Sequence, residues 1–104
     1  MLHWVADGFV NEHTAALGSG CTGKDAYAQR LPAFLASMPG LGYDVEDVIA
    51  DGDRVAVTYV LRARVNDRDI AVRGLMRFVV RDGLVAHWVD YWDSLVFQQQ
   101  AGLL

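Results

Sequence analysis

The sequence predicts an α+β domain in which one curved antiparallel sheet wraps around a helix to form a cone. Three observations predict it. Asp51-Gly52, Asn66-Asp67 and Asp82-Gly83 punctuate the second half of the chain between runs rich in Val, Ile, Tyr and Phe, and such pairs tolerate the positive φ of tight hairpins. The runs alternate residue character with the period of a strand. Ahead of them lies one segment whose apolar residues recur at helical spacing.

The 104 residues make one domain, 1–104, large enough for a core and small enough to gain from a partner subunit. A hydrophobic share of 53% argues for a packed globule over disorder. The formal net charge of −4, with scattered basic residues, argues against nucleic acid or an anionic membrane as the main partner. Cys21 stands alone, so no disulfide framework or Cys-based zinc site is expected, and a reducing cytoplasm is the expected location. No apolar run reaches the length of a membrane span, and the start, MLHWVADGF, lacks the features of a signal peptide.

Taken in order, a short strand is expected at Phe9 to His13, followed by the small residues of LGSGCTG as a loop. Thr22 is the expected N-cap of the helix, with Asp25 completing a variant capping box. Tyr27, Leu31, Phe34, Leu35 and Met38 form one apolar stripe that needs a sheet to cover. Pro32 removes a backbone donor within it, which predicts a kink or two short helices, and Pro39-Gly40 ends the element. Four strands follow, at Gly42 to Ala50, Arg54 to Val65, Arg68 to Arg81 and Leu84 to Asp93. Val55, Val57, Tyr59, Leu61 and Ala63 share one face of the second strand. Val72, Gly74, Met76, Phe78 and Val80 share one face of the third, opposite Arg73, Arg77 and Arg81. In the last strand both faces are partly apolar, so periodicity alone does not choose between Trp88-Asp90-Trp92 and Val85-His87-Val89-Tyr91. Such a strand is expected to be buried on both faces, one by the helix and one by a second subunit. A bulge is expected at Glu46-Asp47, where the alternation of Tyr43 and Val45 resumes out of phase at Val48. Gly74, on a core face, predicts sharp curvature or close approach of a ligand.

The order of helix then meander, ending in DGLVAHWVDYWDSLVFQQQ, resembles the SnoaL-like branch of the nuclear transport factor 2-like superfamily. That superfamily includes polyketide cyclases, ketosteroid isomerases and limonene epoxide hydrolases. The early ADGFVNEH stretch and Gly23-Lys24-Asp25 add to the resemblance. It implies the cone fold, a homodimer through the outer face of the sheet, and a further helix before ADGFV that this chain lacks. It also puts Asp90 at the pocket carboxylate, with Trp88 and Trp92 pointing inward beside it. The hydrolases pair that acid with an Arg and a second Asp, where this chain has Tyr59 and Leu61. The isomerases take a tyrosine from a first helix that this chain starts too late to contain. What carries over is Tyr59 near Asp90, with His13, Glu12 or Asn11 arriving at the mouth.

The chemistry of that group follows from its surroundings. A carboxylate walled by indoles loses hydration, which raises its pKa toward neutrality. A phenol can donate to an enolate as charge develops. Asp90 as acid/base, Tyr59 as donor and His13 as a further proton-handling group suit proton abstraction next to a carbonyl, with no cofactor. Trp88, Trp92, Met76, Phe78, Leu61 and Phe34 are the expected wall for a small apolar ligand, and Asn11 sits at its mouth. No metal site is expected, and His3 and His87 have no evident partner. Two functions fit: a small isomerase or cyclase acting on an apolar carbonyl compound, and a ligand-binding or dimerisation module in which Asp90 only organises the interior. Asp93-Ser94 is expected to cap a short closing helix, with Gly102 near its end.

Overall fold

The computed structural model describes residues 4–13 and 20–103; His3 and part of the predicted LGSGCTG loop lie outside them. The elements are β1 (Val5–His13), β2 (Cys21–Thr22), α1 (Lys24–Ser37), β3 (Gly42–Asp51), β4 (Arg54–Val65), β5 (Arg68–Arg81), β6 (Leu84–Trp92) and α2 (Ser94–Gln100). The sheet order is β2-β1-β6-β5-β4-β3, an open curved sheet with the two helices beside it. The four-strand meander lies within a residue of its predicted bounds. The Asn66-Asp67 and Asp82-Gly83 turns hold positive φ at both central residues, the conformation that matches strand twist. The first turn is centred one residue later than predicted, on Gly52-Asp53, with positive φ at Gly52 alone.

Bulges provide the curvature. Between Val45 and Asp47 the β3–β4 register slips by one, at the predicted position, and this keeps Tyr43, Val45 and Val48 on the same face. A second shift between Val79 and Val80 bends β5 against β6. The concave face then collects Tyr59, Leu61, Val72 and Met76 into the core with Met38, Phe97 and Ala101. The convex face carries the arginines, with Arg73 bonded to Glu46 at 2.8 and 3.0 Å. Val89, on that face of β6, is 2% exposed within the single chain, so no second subunit is needed to bury it.

The first strand is longer than predicted, and its partner was not foreseen: β1 runs parallel to β6, pairing His13 with Asp90. The start of α1 also differs. Gly23, with φ of 95°, is the N-cap and no side chain caps the helix; Thr22 is in β2 instead. The Gly23 N–H bonds the Phe9 carbonyl at 2.7 Å, tying the helix start to β1. Pro32 lies inside one uninterrupted helix, not between two. Of the predicted stripe, Tyr27 and Met38 are buried while Phe34 and Leu35 are 39% and 47% exposed. The helix packs on β1 and β2 more than on the sheet centre, so its later turns overhang a hollow.

At the other end, Asp93 accepts from Leu95 N–H at 2.9 Å and Val96 N–H at 3.3 Å, an N-cap that stabilises α2 by about 1 kcal/mol. Gly102 and Leu103 donate back to the Gln99 and Gln98 carbonyls, closing the helix as a Schellman motif. Gln100 then bonds both backbone groups of Ala71, at 2.7 and 2.9 Å, so the helix takes over the edge of β5 that β6 leaves after Trp92.

Candidate active site

The β5–β6 register sets Trp88, Asp90 and Trp92 opposite Phe78, Met76 and Gly74, which places all three on the concave face. Asp90 is 7% exposed. Tyr59, two strands away and 1% exposed, donates its hydroxyl to Asp90 Oδ1 at 2.5 Å. The bond spans β5 because Gly74 lies between: a Cβ there would meet the Tyr59 hydroxyl at 2.4 Å and its ring at 2.5 Å. The close approach expected at Gly74 is therefore made by the protein's own phenol, not by a ligand.

The parallel β1–β6 pairing brings in the third group. His13 Nε2 lies 3.7 Å from Asp90 Oδ2, and the Trp92 indole donates to His13 Nδ1 at 3.0 Å. An indole N–H can only donate, so Nδ1 is the unprotonated nitrogen and neutral His13 carries its proton on Nε2, facing the carboxylate. His13 is thereby set as a donor, since Nε2 has no lone pair to accept a proton. Burial also lowers its pKa; the Asp90 charge opposes this and Arg30 reinforces it. Glu12 faces the other way, its Oε1 lying 3.4 Å from His87 Nε2 on the convex side. The pair has an ionic separation but not the geometry of a hydrogen bond.

Asp90 is pushed above the usual carboxylate range by burial, against the opposing pull of the Tyr59 bond, His13 and a backbone N–H. Tyr59 is driven strongly upward by burial and by Asp90, so it stays a phenol. The Asp90 shift carries a stability prediction. A carboxyl whose native pKa is raised contributes stability that is fully present below its unfolded pKa and lost as pH rises through the native one. The stability of the native chain minus that of Asp90→Asn should therefore fall as pH rises from below the ordinary carboxylate pKa through the raised native one, as read from urea midpoints. A difference that rises across this range would show that Asp90 is held as a stabilised anion.

A cavity of about 100 Å³ opens onto this group, lined by Asp90, His13, Asn11, Trp88 and Phe34 together with Tyr27, Arg30, Leu31 and Tyr43. An apolar hollow of about 220 Å³ adjoins it across Tyr43 and Trp88, walled by Val57, Met76 and Phe78. Two expected wall residues are placed elsewhere. Leu61 is in the core, and Trp92 packs edge-on to Phe97 while it orients His13. Four residues lining the cavity next to Asp90 were missed. Tyr27 and Leu31 belonged to the helical stripe but were read as core, and Arg30 lies outside that stripe, flanking it on the Phe34 side. Tyr43 shared its alternation with Val45, and its ring now packs edge-on to Tyr59 at 5.0 Å. Burial lifts the Tyr43 pKa to about 12, so it too remains a donor. The buried Trp88 Nε1 has no hydrogen-bond partner among the described residues. Among the described residues no cluster of His, Cys, Asp and Glu could hold a metal ion, and no helix is long and apolar enough to cross a membrane.

A family model described as SnoaL-like domain matches residues 1–88. Three solved structures share the fold. A hypothetical protein with a ketosteroid isomerase-like fold from Catenulispora acidiphila DSM 44928, in complex with trimethylamine, is similar over 97% of this chain and 78% of its own, at TM-score 0.88 and 16% identity. TerC, co-crystallised with polyporic acid, is similar over 97% and 82%, at TM-score 0.82 and 18% identity. A protein from Jannaschia sp. CCS1, provisionally named a SnoaL-like polyketide cyclase, is similar over 95% and 74%, at TM-score 0.81 and 19% identity. No curated protein matches the sequence.

Proposed function

The chain belongs to the SnoaL-like domain family, and from that premise we propose that it is a cofactor-independent isomerase or cyclase in which Asp90 moves a proton next to the carbonyl of a small apolar compound. The observation that carries this reading is the buried carboxylate held on one oxygen by Tyr59, with the other oxygen on the His13 side. Burial raises its proton affinity toward the working range of a general base. In the proposed step the C–H electron pair becomes an enolate as the proton passes to Asp90 Oδ2. The proton then returns at another carbon, or the enolate carbon bonds to a second carbonyl carbon, whose π pair moves to its oxygen and takes the proton back from Asp90.

The roles of the helpers differ from the sequence expectation. The Tyr59 hydroxyl is committed to Asp90 and is buried, so it orients the base rather than meeting the enolate oxygen. Tyr43, on the cavity wall and 36% exposed, and the Nε2–H of His13 are the donors for that oxygen. The test is solvent deuterium exchange into a panel of small aryl ketones, followed by NMR. Catalysed exchange at the α-carbon supports the reading, and none across the panel removes it.

The second reading, a binding module without chemistry, is favoured by the low exposure of Asp90. It expects ligand affinity without exchange, and known complexes of TerC with polyporic acid and of the Catenulispora protein with trimethylamine show that this fold accepts small molecules. We also infer a homodimer through the convex face, where Val60 and Leu75 are half-buried and Tyr91 is 37% exposed. Analytical ultracentrifugation should give twice the chain mass for the native protein and the single mass for Tyr91→Glu; a monomeric native protein overturns it. The lone Cys21 thiol keeps the cytoplasm as the expected location.

A further inference from the structure

We propose that the ligand of this cavity carries a carboxylate, held at the mouth by Arg30; the inference deepens the function proposed above and rests on it for the carbonyl end of the molecule. α1 brings Tyr27, Arg30, Leu31 and Phe34 to the cavity at helical spacing. Arg30 thus lies on the lining face of the helix, beside aromatic and aliphatic groups, and not on its opposite, solvated side. It is the permanent cation among the described residues of the lining, and Asp90 is the acid. Arg30 is exposed and Asp90 buried, so the two charges mark the mouth and the floor.

The charge of Arg30 reaches inward: it adds to the burial that lowers the proton affinity of His13 and opposes the burial that raises that of Tyr27. A guanidinium presents a planar fork that matches a carboxylate with two parallel N–H bonds. A cationic ligand would be repelled at the mouth, and a neutral acceptor would gain less from the guanidinium than an anion does. The position of the carboxylate is also constrained. Near the floor it would face the Asp90 charge in a poorly hydrated space, so it must sit at the outer end, with the carbonyl inward. The volume of about 100 Å³ limits the enclosed part to a small ring or short chain, and the apolar hollow beside it has no comparable cation in its wall.

The experiment uses 4-oxo-4-phenylbutanoate and its primary amide, titrated against the tryptophan fluorescence of the native protein, Arg30→Gln and Arg30→Lys at low and high salt. The native protein should bind the acid at least about tenfold tighter than the amide, the lower bound for a charge-assisted pair. Arg30→Gln should bring the acid to the affinity of the amide without changing the amide, and Arg30→Lys should keep part of the preference. High salt should weaken the acid alone. Equal affinities in the native protein, a preference that survives Arg30→Gln, or no binding of either probe at millimolar concentration overturns the inference. A preference that depends on Arg30 without any deuterium exchange leaves the carboxylate site standing and removes the catalytic reading.

Discussion

Asp90→Asn should lower catalysed α-proton exchange by roughly 10²–10⁴-fold, the range over which a positioned general base acts. The substitution keeps an oxygen to accept from Tyr59 and changes the volume little, so the fold and ligand affinity should survive. The amide cannot take the proton, which is why the loss falls on turnover. Native exchange should also rise with pH along a limb displaced above the ordinary carboxylate range, because the ionised form is the base and burial raises its pKa. Exchange that is unchanged in Asp90→Asn would assign the proton transfer to another group. Loss of ligand binding together with exchange would identify Asp90 as an organiser of the interior.

Gly74→Ala should be the most destabilising single-methyl addition in the sheet. Its φ is not in the left-handed region; what matters is space. The added carbon would overlap the Tyr59 hydroxyl and ring and lie 2.9 Å from the Tyr91 carbonyl. Overpacking of a tight site costs about 1–3 kcal/mol. Displacing the phenol leaves a buried carboxylate short of a donor, which costs a further 1–3 kcal/mol or so. Urea unfolding should register the sum, and exchange should fall with it because the base loses its orientation. Combining Gly74→Ala with Tyr59→Leu separates the causes. If the phenol is the obstacle, the pair is less destabilised than the sum of the singles. If the Tyr91 carbonyl dominates, the effects add, and a Gly74→Ala protein of native stability would refute the packing argument altogether.

How far the sequence could be read depended on the range of each interaction. The β3–β6 meander, the turns at Asn66-Asp67 and Asp82-Gly83, the first turn to within one residue, and the bulge at Glu46 were legible because alternation and turn chemistry are written within a few consecutive residues. The inward face of β6 was not legible in this way: Val89 and Trp88 are both apolar, and only the pairing of Asp90 with Met76 decides it. The start of α1 misled for a related reason. Thr22 has the chemistry of a cap, but its backbone is used in pairing with Val10, which moves the cap to Gly23.

For the site, strand parity by itself put Tyr59 on the core face of its strand, and the resemblance of DGLVAHWVDYWDS to its family, not periodicity, turned Asp90 and its tryptophans inward. Only the tertiary structure decided their company. The parallel pairing of β1 with β6 carries His13 to Asp90 across a separation of 77 positions in the chain. Trp92 left the wall to fix the histidine's tautomer, and Gly74 made room for the phenol to cross a strand. These are contacts between distant segments, set by how strands register and by which side chain fits over which backbone. No local pattern of residues records them.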